Sequence, residues 1–167
     1  MGLDMYLSAR KYINKIDWAL LDRNYNSDMK YAQAITPEYR EVVNSAGMSH
    51  IQDDNDVYGA YVSVNCAYWR KANQIHNWFV ENVQDGEDNC SEYYVSKEQL
   101  KELLNACKIA YNNKDPKELM PREGFFFGGT DIDEYYWLDI KDTIEQIERL
   151  TKLPEFDDLS FYYQSSW

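Results

Sequence analysis

The chain has 167 residues, 44% hydrophobic and 16% aromatic, which is enough for a sizeable core and too apolar for a disordered chain. Its 29 acidic residues outnumber 17 basic ones, and the formal charge of −12 disfavours direct binding to nucleic acid or to an anionic membrane. The same charge favours a partner with a basic surface. We expect one globular domain over residues 1–167.

Cofactor and compartment predictions follow from what the sequence lacks. Cys66, Cys90 and Cys107 form no CxxC or Cys/His ligand pattern, so we expect reduced thiols, no metal and no other cofactor. The beginning carries Asp4 and no apolar segment of signal-peptide length, and no apolar run reaches membrane-spanning length. We therefore expect a soluble protein in the cytoplasm of a host cell.

The first half of the chain predicts two strands and a short helix. LDMYLSARKYI (3–13) is aromatic and β-branched enough for an opening strand. DRNYNSD (22–28) predicts a turn, and TPEYREVV (36–43) a short helix capped by Thr36. VYGAYVSVNCAYW (57–69) has the bias of a buried strand.

The stretch YWRKANQIHNWFVENVQDGEDNC (68–90) predicts a helix from about Tyr68 to Val83. On a helical wheel Trp78 falls on the polar face, opposite the apolar stripe. Either Trp78 packs beneath another chain segment, or it is an exposed interface anchor beside Arg70. His76, at the edge of the stripe, indicates a buried histidine with satisfied hydrogen bonds rather than a general base. The stripe is Tyr68, Ala72, Ile75, Phe79 and Val83.

Two further helices are predicted before a last strand. One begins after Ser96, which forms a capping-box pattern with Gln99. The other runs from about Asp131 to Thr151 with Thr130 as its cap. LSFYYQSSW (159–167) predicts a terminal strand that pairs with the first. The predicted fold class is α+β, with a small, mostly antiparallel sheet and about three main helices packed on it. The two apolar stripes are Leu100, Leu103, Leu104, Cys107 and Tyr111, and Ile132, Tyr136, Ile140, Thr143, Ile147 and Leu150.

Acidic residues mark three further features. In GFFFGGTDIDE (124–134), Asp131 and Asp133 fit a capped helix start or, alternatively, oxygen ligands of Mg²⁺. DGED (85–88) predicts a solvated turn. The last helix carries carboxylates on the face away from its apolar stripe, either as a solvated surface or as an imitation of a row of phosphates. These carboxylates are Glu134, Asp142, Glu145 and Glu148.

Three blocks in consistent order, MGLDMYL, YWRKANQIHNWFVENVQDGEDNC and FFFGGTDIDEYYWLDI, resemble a family of small proteins encoded by phages, prophages and their bacterial hosts. The resemblance implies a phage accessory setting and supplies no catalytic residues. Small acidic accessory proteins of phages often inhibit host defence, so the association points to an anti-CRISPR or related counter-defence protein.

Three functional hypotheses follow, and the sequence sets no oligomeric state. The first is a non-enzymatic inhibitor of a host defence protein such as a Cas-type nuclease. Its acidic helix face would enter a basic nucleic-acid channel, and the residues assigned to the partner are Glu134, Asp142, Glu145, Glu148, Trp78 and Arg70.

The second hypothesis is a small-molecule binder that sequesters a nucleotide immune signal. Its assigned residues are Trp69, Trp78 and Tyr136 for stacking, Arg70 and Lys71 for phosphate, and His76. The third hypothesis, a metal-dependent phosphohydrolase, would use Asp131 and Asp133 with His76 as base.

Overall fold

A computed structural model describes residues 2–24, 31–54 and 56–167. Its strands form one antiparallel sheet, in which Gly59–Arg70, Asp4–Asn14, Ser160–Ser166 and Tyr93–Val95 lie side by side in that order. The α+β fold class is confirmed. The chain divides into two units, Met1–Arg10 with Val64–Trp167, and Lys11–Ser63, and the single-domain organisation stays a prediction. The strands are β1 (Asp4–Asn14), β2 (Gly59–Arg70), β3 (Tyr93–Val95) and β4 (Ser160–Ser166).

The last strand pairs with the first, as the sequence predicts. Met5 lies opposite Ser165 and Leu7 opposite Tyr163, and β3 adds to the other side of β4. Because side chains alternate across a strand, Met5, Leu7 and Tyr163 share one face of the sheet, and all three are fully buried. This face forms the floor of the larger unit's core.

Helices supply the remainder of that core. The capping box of Ser96 and Gln99 is present at the start of the helix Lys97–Asn113, which confirms that prediction. The predicted stripe residues Leu100, Leu103 and Cys107 are buried. The helices of this unit are α3 (Asn73–Asn82), α4 (Lys97–Asn113) and α5 (Glu134–Thr151).

Two helix starts differ from the prediction. Residues 68–70 belong to β2, and α3 begins only at Asn73, so the predicted helix from Tyr68 is wrong at its N-terminal end. The last helix begins at Glu134 and is capped by Asp133, not Thr130. Asp133 Oδ1 accepts the N–H groups of Tyr135 and Tyr136 at 2.9 and 3.1 Å. Ile132 therefore lies outside α5 and is exposed.

The edge strand β2 is covered in part by side chains of α5. The backbone N–H of Tyr68 donates to Gln146 Oε1, and Arg149 donates to the carbonyl of Cys66, both at 3.0 Å. These contacts satisfy edge groups that would otherwise be open for pairing. The expectation of a buried strand is wrong for most of β2, because only Ala67 and Trp69 are buried in it.

The smaller unit holds α1 (Trp18–Arg23) and α2 (Pro37–Ser45), with 3₁₀ turns at Tyr31–Ala34 and Ser49–Ile51. Thr36 caps α2 by accepting the Tyr39 N–H, as predicted. Residues 25–30, which hold most of the predicted DRNYNSD turn, lie outside the described residues. A separate apolar cluster is formed by Ile35, Tyr39 and Val43.

No helix in the described ranges combines the length and the apolar character that a membrane span requires.

Candidate functional site

A cleft of about 360 Å³ opens between the turn that follows β2 and the N-terminal part of α5. That volume lies within the range of small-molecule sites. The turn contributes Arg70 and Lys71 from the predicted site, and α5 contributes Tyr136. The cleft lies wholly in the larger unit.

One end of the cleft, the basic end, consists of Arg70, Lys71, Gly128 and Gly129. Both cationic side chains are exposed, and among the described residues neither forms an ion pair. Within the same residues, the N–H groups of Gly128 and Gly129 donate no hydrogen bond. Two positive charges beside free backbone N–H groups form a surface that accepts an anion.

The backbone at the basic end is held in rarely occupied conformations. Lys71 has a φ of 60°, in the left-handed region that lysine seldom adopts, and Gly128 has a φ of 91°. A Cβ added to Gly128 would lie 3.4 Å from the Lys71 Cβ, so the glycine allows the two segments to approach closely. Asn73 ties them together, because its Nδ2 donates to the carbonyls of Phe127 and Gly129 at 3.2 and 2.8 Å.

A second part of the lining, which we name the acceptor end, consists of Gln74 and Asp139. Gln74 Nε2 donates to Asp139 Oδ2 at 3.2 Å and to the carbonyl of Tyr136 at 3.4 Å. Burial, and secondarily the nearby Asp142 and Asp133, raise the pKa of Asp139, while the Gln74 hydrogen bond lowers it. The donors of Gln74 are thus committed, whereas its oxygen and the carboxylate remain acceptors.

Asp131 and Asp133 also line the cleft, which bears on the Mg²⁺ alternative. Asp133 Oδ1 is occupied by two backbone N–H groups of α5. Among the described residues, no three His, Cys, Asp or Glu side chains are grouped as metal ligands. His76 does not line the cleft, so the residues of the phosphohydrolase hypothesis do not converge there.

The aromatic side chain displayed at the cleft is Tyr135, which is 67% exposed. Tyr136, which the sequence favours as a stacking residue, is buried and donates its hydroxyl to the carbonyl of Leu119 at 2.9 Å. Burial raises the pKa of the Tyr136 hydroxyl. Trp69, predicted in the same role, is a core residue whose indole N–H donates to Thr143 Oγ1 at 2.9 Å. Neither ring is displayed at the surface, Trp69 does not line the cleft, and the stacking role of Tyr136 stays a prediction.

His76 is fully buried with both ring nitrogens engaged, which confirms the prediction of a satisfied histidine. Nε2 lies 3.1 Å from Asp88 Oδ2, and Nδ1 lies 2.7 Å from the Tyr163 hydroxyl. Asp88 also accepts the Trp167 indole N–H at 3.1 Å, and its carboxylate lies 3.6 Å from Arg122 Nε. The expectation that residues 85–88 form only a solvated turn is wrong at Asp88.

Trp78 is only 8% exposed, which confirms that it packs in the interior. It cannot serve as a displayed anchor while α3 is folded. Arg70 is exposed but belongs to the cleft, so the pairing of Trp78 with Arg70 on one surface is wrong.

The acidic face of α5 is divided. Glu134, Asp142 and Glu145 are exposed, and Glu145 lies 3.5 Å from Lys141. Glu148 is different, because it is half-buried between Lys108 and Lys152. These two lysines lower the pKa of Glu148 through hydrogen bonds and charge. Glu148 is therefore committed within the protein, and three of the four predicted carboxylates remain available.

The sequence prediction missed Asn73, Gln74, Tyr135 and Asp139. The wheel assigned Gln74 to a solvent-facing surface, although it is buried. Tyr135 carried a usable signal, because it is an aromatic residue outside the apolar stripe of its helix. Asp139 carried none, since its role depends on packing against α3.

Comparison with protein-family models, with curated protein sequences and with solved structures found no match to this chain.

Proposed function

We propose that the protein binds a small anionic ligand of nucleotide class in the cleft. The observation that carries this proposal is the basic end, where Arg70 and Lys71 lie without ion pairs among the described residues beside two uncommitted glycine N–H groups. An anion bound there would receive charge-assisted hydrogen bonds. Tyr135 offers an exposed ring on the same cleft for a base or another flat group.

The charges of the cleft limit the kinds of ligand that it can bind. Asp131, Asp133 and Asp139 oppose the two cations, so the wall carries more carboxylates than cations. A triphosphate would place several negative charges among these carboxylates, which like-charge repulsion disfavours. A ligand with a single phosphate and several hydrogen-bond donors fits both the basic end and the acceptor end of the cleft. Nucleoside monophosphates and cyclic nucleotides have these groups.

The biological setting of the proposal rests on the resemblance to small phage and prophage proteins. Such a protein, present in the host cytoplasm during infection, would act without catalysis by sequestering a nucleotide that signals in host defence. Sequestration requires only affinity for the nucleotide and an abundant protein.

The test of this proposal is charge reversal at the basic end. We expect Lys71→Glu and Arg70→Glu each to weaken nucleotide binding about tenfold or more, because each replaces a charge-assisted contact by a repulsive one. Isothermal titration calorimetry with linear and cyclic mononucleotides measures the loss. Lys117→Glu is the matched control, since Lys117 is exposed and does not line the cleft. Absence of binding by the unaltered protein at millimolar nucleotide would overturn the proposal.

A second candidate function is the electrostatic blocker of a Cas-type nuclease. Its support is that Glu134, Asp142 and Glu145 are exposed on the same side of α5 as Tyr135 and Leu138. A surface that mixes carboxylates with exposed apolar side chains suits a basic groove of another protein. The carboxylates pair with the cations of the groove, and binding removes the apolar groups from water. The net charge of −12 adds long-range attraction to such a groove.

Charge reversal on α5 tests the blocker. If the acidic face binds a nuclease channel, the triple variant Glu134→Lys, Asp142→Lys and Glu145→Lys should lose inhibition of DNA cleavage about a hundredfold. Glu148 is left unchanged, because its reversal would break the contacts with Lys108 and Lys152.

The control for that variant changes the same net charge elsewhere in the larger unit, at Glu102, Glu118 and Glu155, which are exposed. Equal loss of inhibition in both triple variants would show that the effect comes from overall charge and not from the acidic face of α5. Full inhibition by the α5 variant would exclude the acidic face as the blocking surface.

A further inference from the structure

The acceptor end of the cleft has a hydrogen-bonding character that the proposed anion site does not use. Gln74 is only 3% exposed, yet its side-chain oxygen accepts no hydrogen bond from the described residues. Its Nε2 is already shared between Asp139 and the carbonyl of Tyr136. Asp139 Oδ1 likewise has no partner within those residues. Neither oxygen is fully buried and both residues line the cleft, so this end can accept hydrogen bonds from a ligand that brings donors.

We propose that the acceptor end recognises the Watson–Crick edge of guanine, so that the cleft selects guanine mononucleotides. This assignment rests on the proposed nucleotide-binding function and specifies its ligand. Guanine carries two adjacent donors, N1–H and the N2 amino group, which together match one carboxylate. Asp139 would accept from both, and the oxygen of Gln74 would accept the second N2 hydrogen.

The other bases fit this end less well. Adenine places an acceptor, N1, beside its only Watson–Crick amino group, and that lone pair would face the carboxylate. Cytosine has the same defect at N3. Uracil offers one donor flanked by two carbonyl oxygens, which Asp139 and Gln74 would repel. A site that holds unpaired polar groups against the wrong base discriminates strongly.

The order of contacts along the cleft agrees with the two ends of one nucleotide. Lys71 lies against Gly128, Asn73 bonds to Gly129, and Gln74 bonds to Asp139, so successive residues of the turn and of α3 meet successive parts of the opposite wall. The phosphate would occupy the basic end and the base the acceptor end. Tyr135, exposed on the cleft, is placed to cover the face of the base.

Replacing Asp139 by asparagine tests the guanine assignment, because it should shift the preference of the cleft from guanine to xanthine. Asparagine keeps one acceptor for N1–H and presents an amide donor where guanine has its N2 amino group. Xanthine has a carbonyl oxygen, O2, at that position and would fit asparagine. We expect the unaltered protein to bind GMP about tenfold or more tightly than IMP, which lacks the N2 amino group, and than AMP.

In Asp139→Asn, GMP binding should fall about tenfold or more while XMP binding rises above that of the unaltered protein. Asp157→Asn is the matched control, because Asp157 is exposed and does not line the cleft. Calorimetry with GMP, IMP, AMP and XMP gives the preferences, and a far-ultraviolet dichroism melt of each variant verifies that it folds.

The outcomes separate this inference from the function on which it rests. Binding of mononucleotides without preference for guanine, or an Asp139→Asn protein with unchanged preferences, overturns the guanine assignment and leaves the basic end intact. Absence of binding to any mononucleotide overturns both. Should Asp139→Asn fail to fold, the unaltered protein still decides the assignment. Affinity for GMP about tenfold or more above that for IMP and AMP supports it, and equal affinity for the three contradicts it.

Discussion

Replacement of Phe79 by alanine is expected to destabilise the protein by about 3–5 kcal/mol, which is a large part of the stability of a domain of this size. Phe79 is fully buried and stacks on Tyr163, with ring centroids 3.9 Å apart and planes only 8° apart. Its ring also meets Trp78 edge-on at 5.4 Å and lies 5.9 Å from Trp69. The substitution would therefore open a cavity that rigid aromatic neighbours cannot close.

Urea unfolding followed by tryptophan fluorescence measures this change, because two of the affected neighbours are tryptophans. The control is Phe125→Ala, since Phe125 is 95% exposed and the same atoms are removed from solvent-facing surface. That control should change the free energy of unfolding by less than about 0.5 kcal/mol. A loss below about 1 kcal/mol in Phe79→Ala would show that the stacked pair does not anchor α3 to the sheet.

The elements that the sequence predicts correctly are those whose signals are local. The capping box of Ser96 and Gln99 lies within four consecutive residues, and the stripe of α4 repeats at the helical period. The opening and closing strands have one buried face, so the sequence shows the alternation of the buried Met5 and Leu7 with partly exposed neighbours. In these cases the contacts that stabilise the element are encoded close to it in the chain.

The helix that contains Trp78 shows where local signals fail. A wheel assumes one buried and one solvated face, but α3 is buried on most of its surface. The segment that follows α4 covers the side predicted to be polar: Asn77 donates to the carbonyl of Met120, and Arg122 donates to Asn77. These partners lie some forty residues further along the chain, so only the folded structure explains why a polar pattern is buried.

The two ends of the cleft differ in how far the sequence predicts them. Arg70 and Lys71 are adjacent in the sequence, so the sequence alone predicts that both contribute to the basic end. The acceptor end is not, because Gln74 and Asp139 belong to different helices and become neighbours only through packing. The oxygen of Gln74 and the Asp139 carboxylate bear on a ligand because packing of α3 against α5 brings them to the same cleft.

The burial of α3 also controls the protonation of His76, and through it the pH dependence of stability. Because the Asp88 carboxylate can only accept, His76 Nε2 must carry the proton, and Nδ1 then accepts the Tyr163 hydroxyl at 2.7 Å. Burial, the largest effect, lowers the pKa of His76 from its ordinary value of 6.5, and Arg122 acts in the same direction while Asp88 opposes both. Burial also raises the pKa of Tyr163, which keeps its hydroxyl a donor. The folded protein thus holds a neutral histidine.

The sign of the resulting pH dependence follows from linkage. As pH falls below 6.5, the unfolded chain takes up a proton at His76 before the folded protein does. The folded state is therefore destabilised progressively between pH 6.5 and the lower folded pKa, by at most about 1.4 kcal/mol per pH unit. Above pH 6.5 both states are neutral at this position and the contribution is constant.

Substitution of His76 by glutamine should remove this dependence. At pH 7.5 we expect the variant to be less stable by roughly 1–3 kcal/mol, because glutamine cannot satisfy both Tyr163 and Asp88 in the geometry of the ring. As the pH is lowered to 5, only the unaltered protein loses the histidine contribution, so the gap between the two should narrow. Carboxylates titrate in both proteins and cancel in the difference.

Urea unfolding at half-unit pH steps measures that gap, and His50→Gln, at the exposed second histidine, is the control that should track the unaltered protein throughout. A gap that stays constant from pH 7.5 to 5 would mean that His76 takes up its proton equally in both states. The Asp88 carboxylate would then offset the whole effect of burial. A narrowing gap would instead establish that the interior beneath α3 excludes charge strongly enough to outweigh a carboxylate 3.1 Å away.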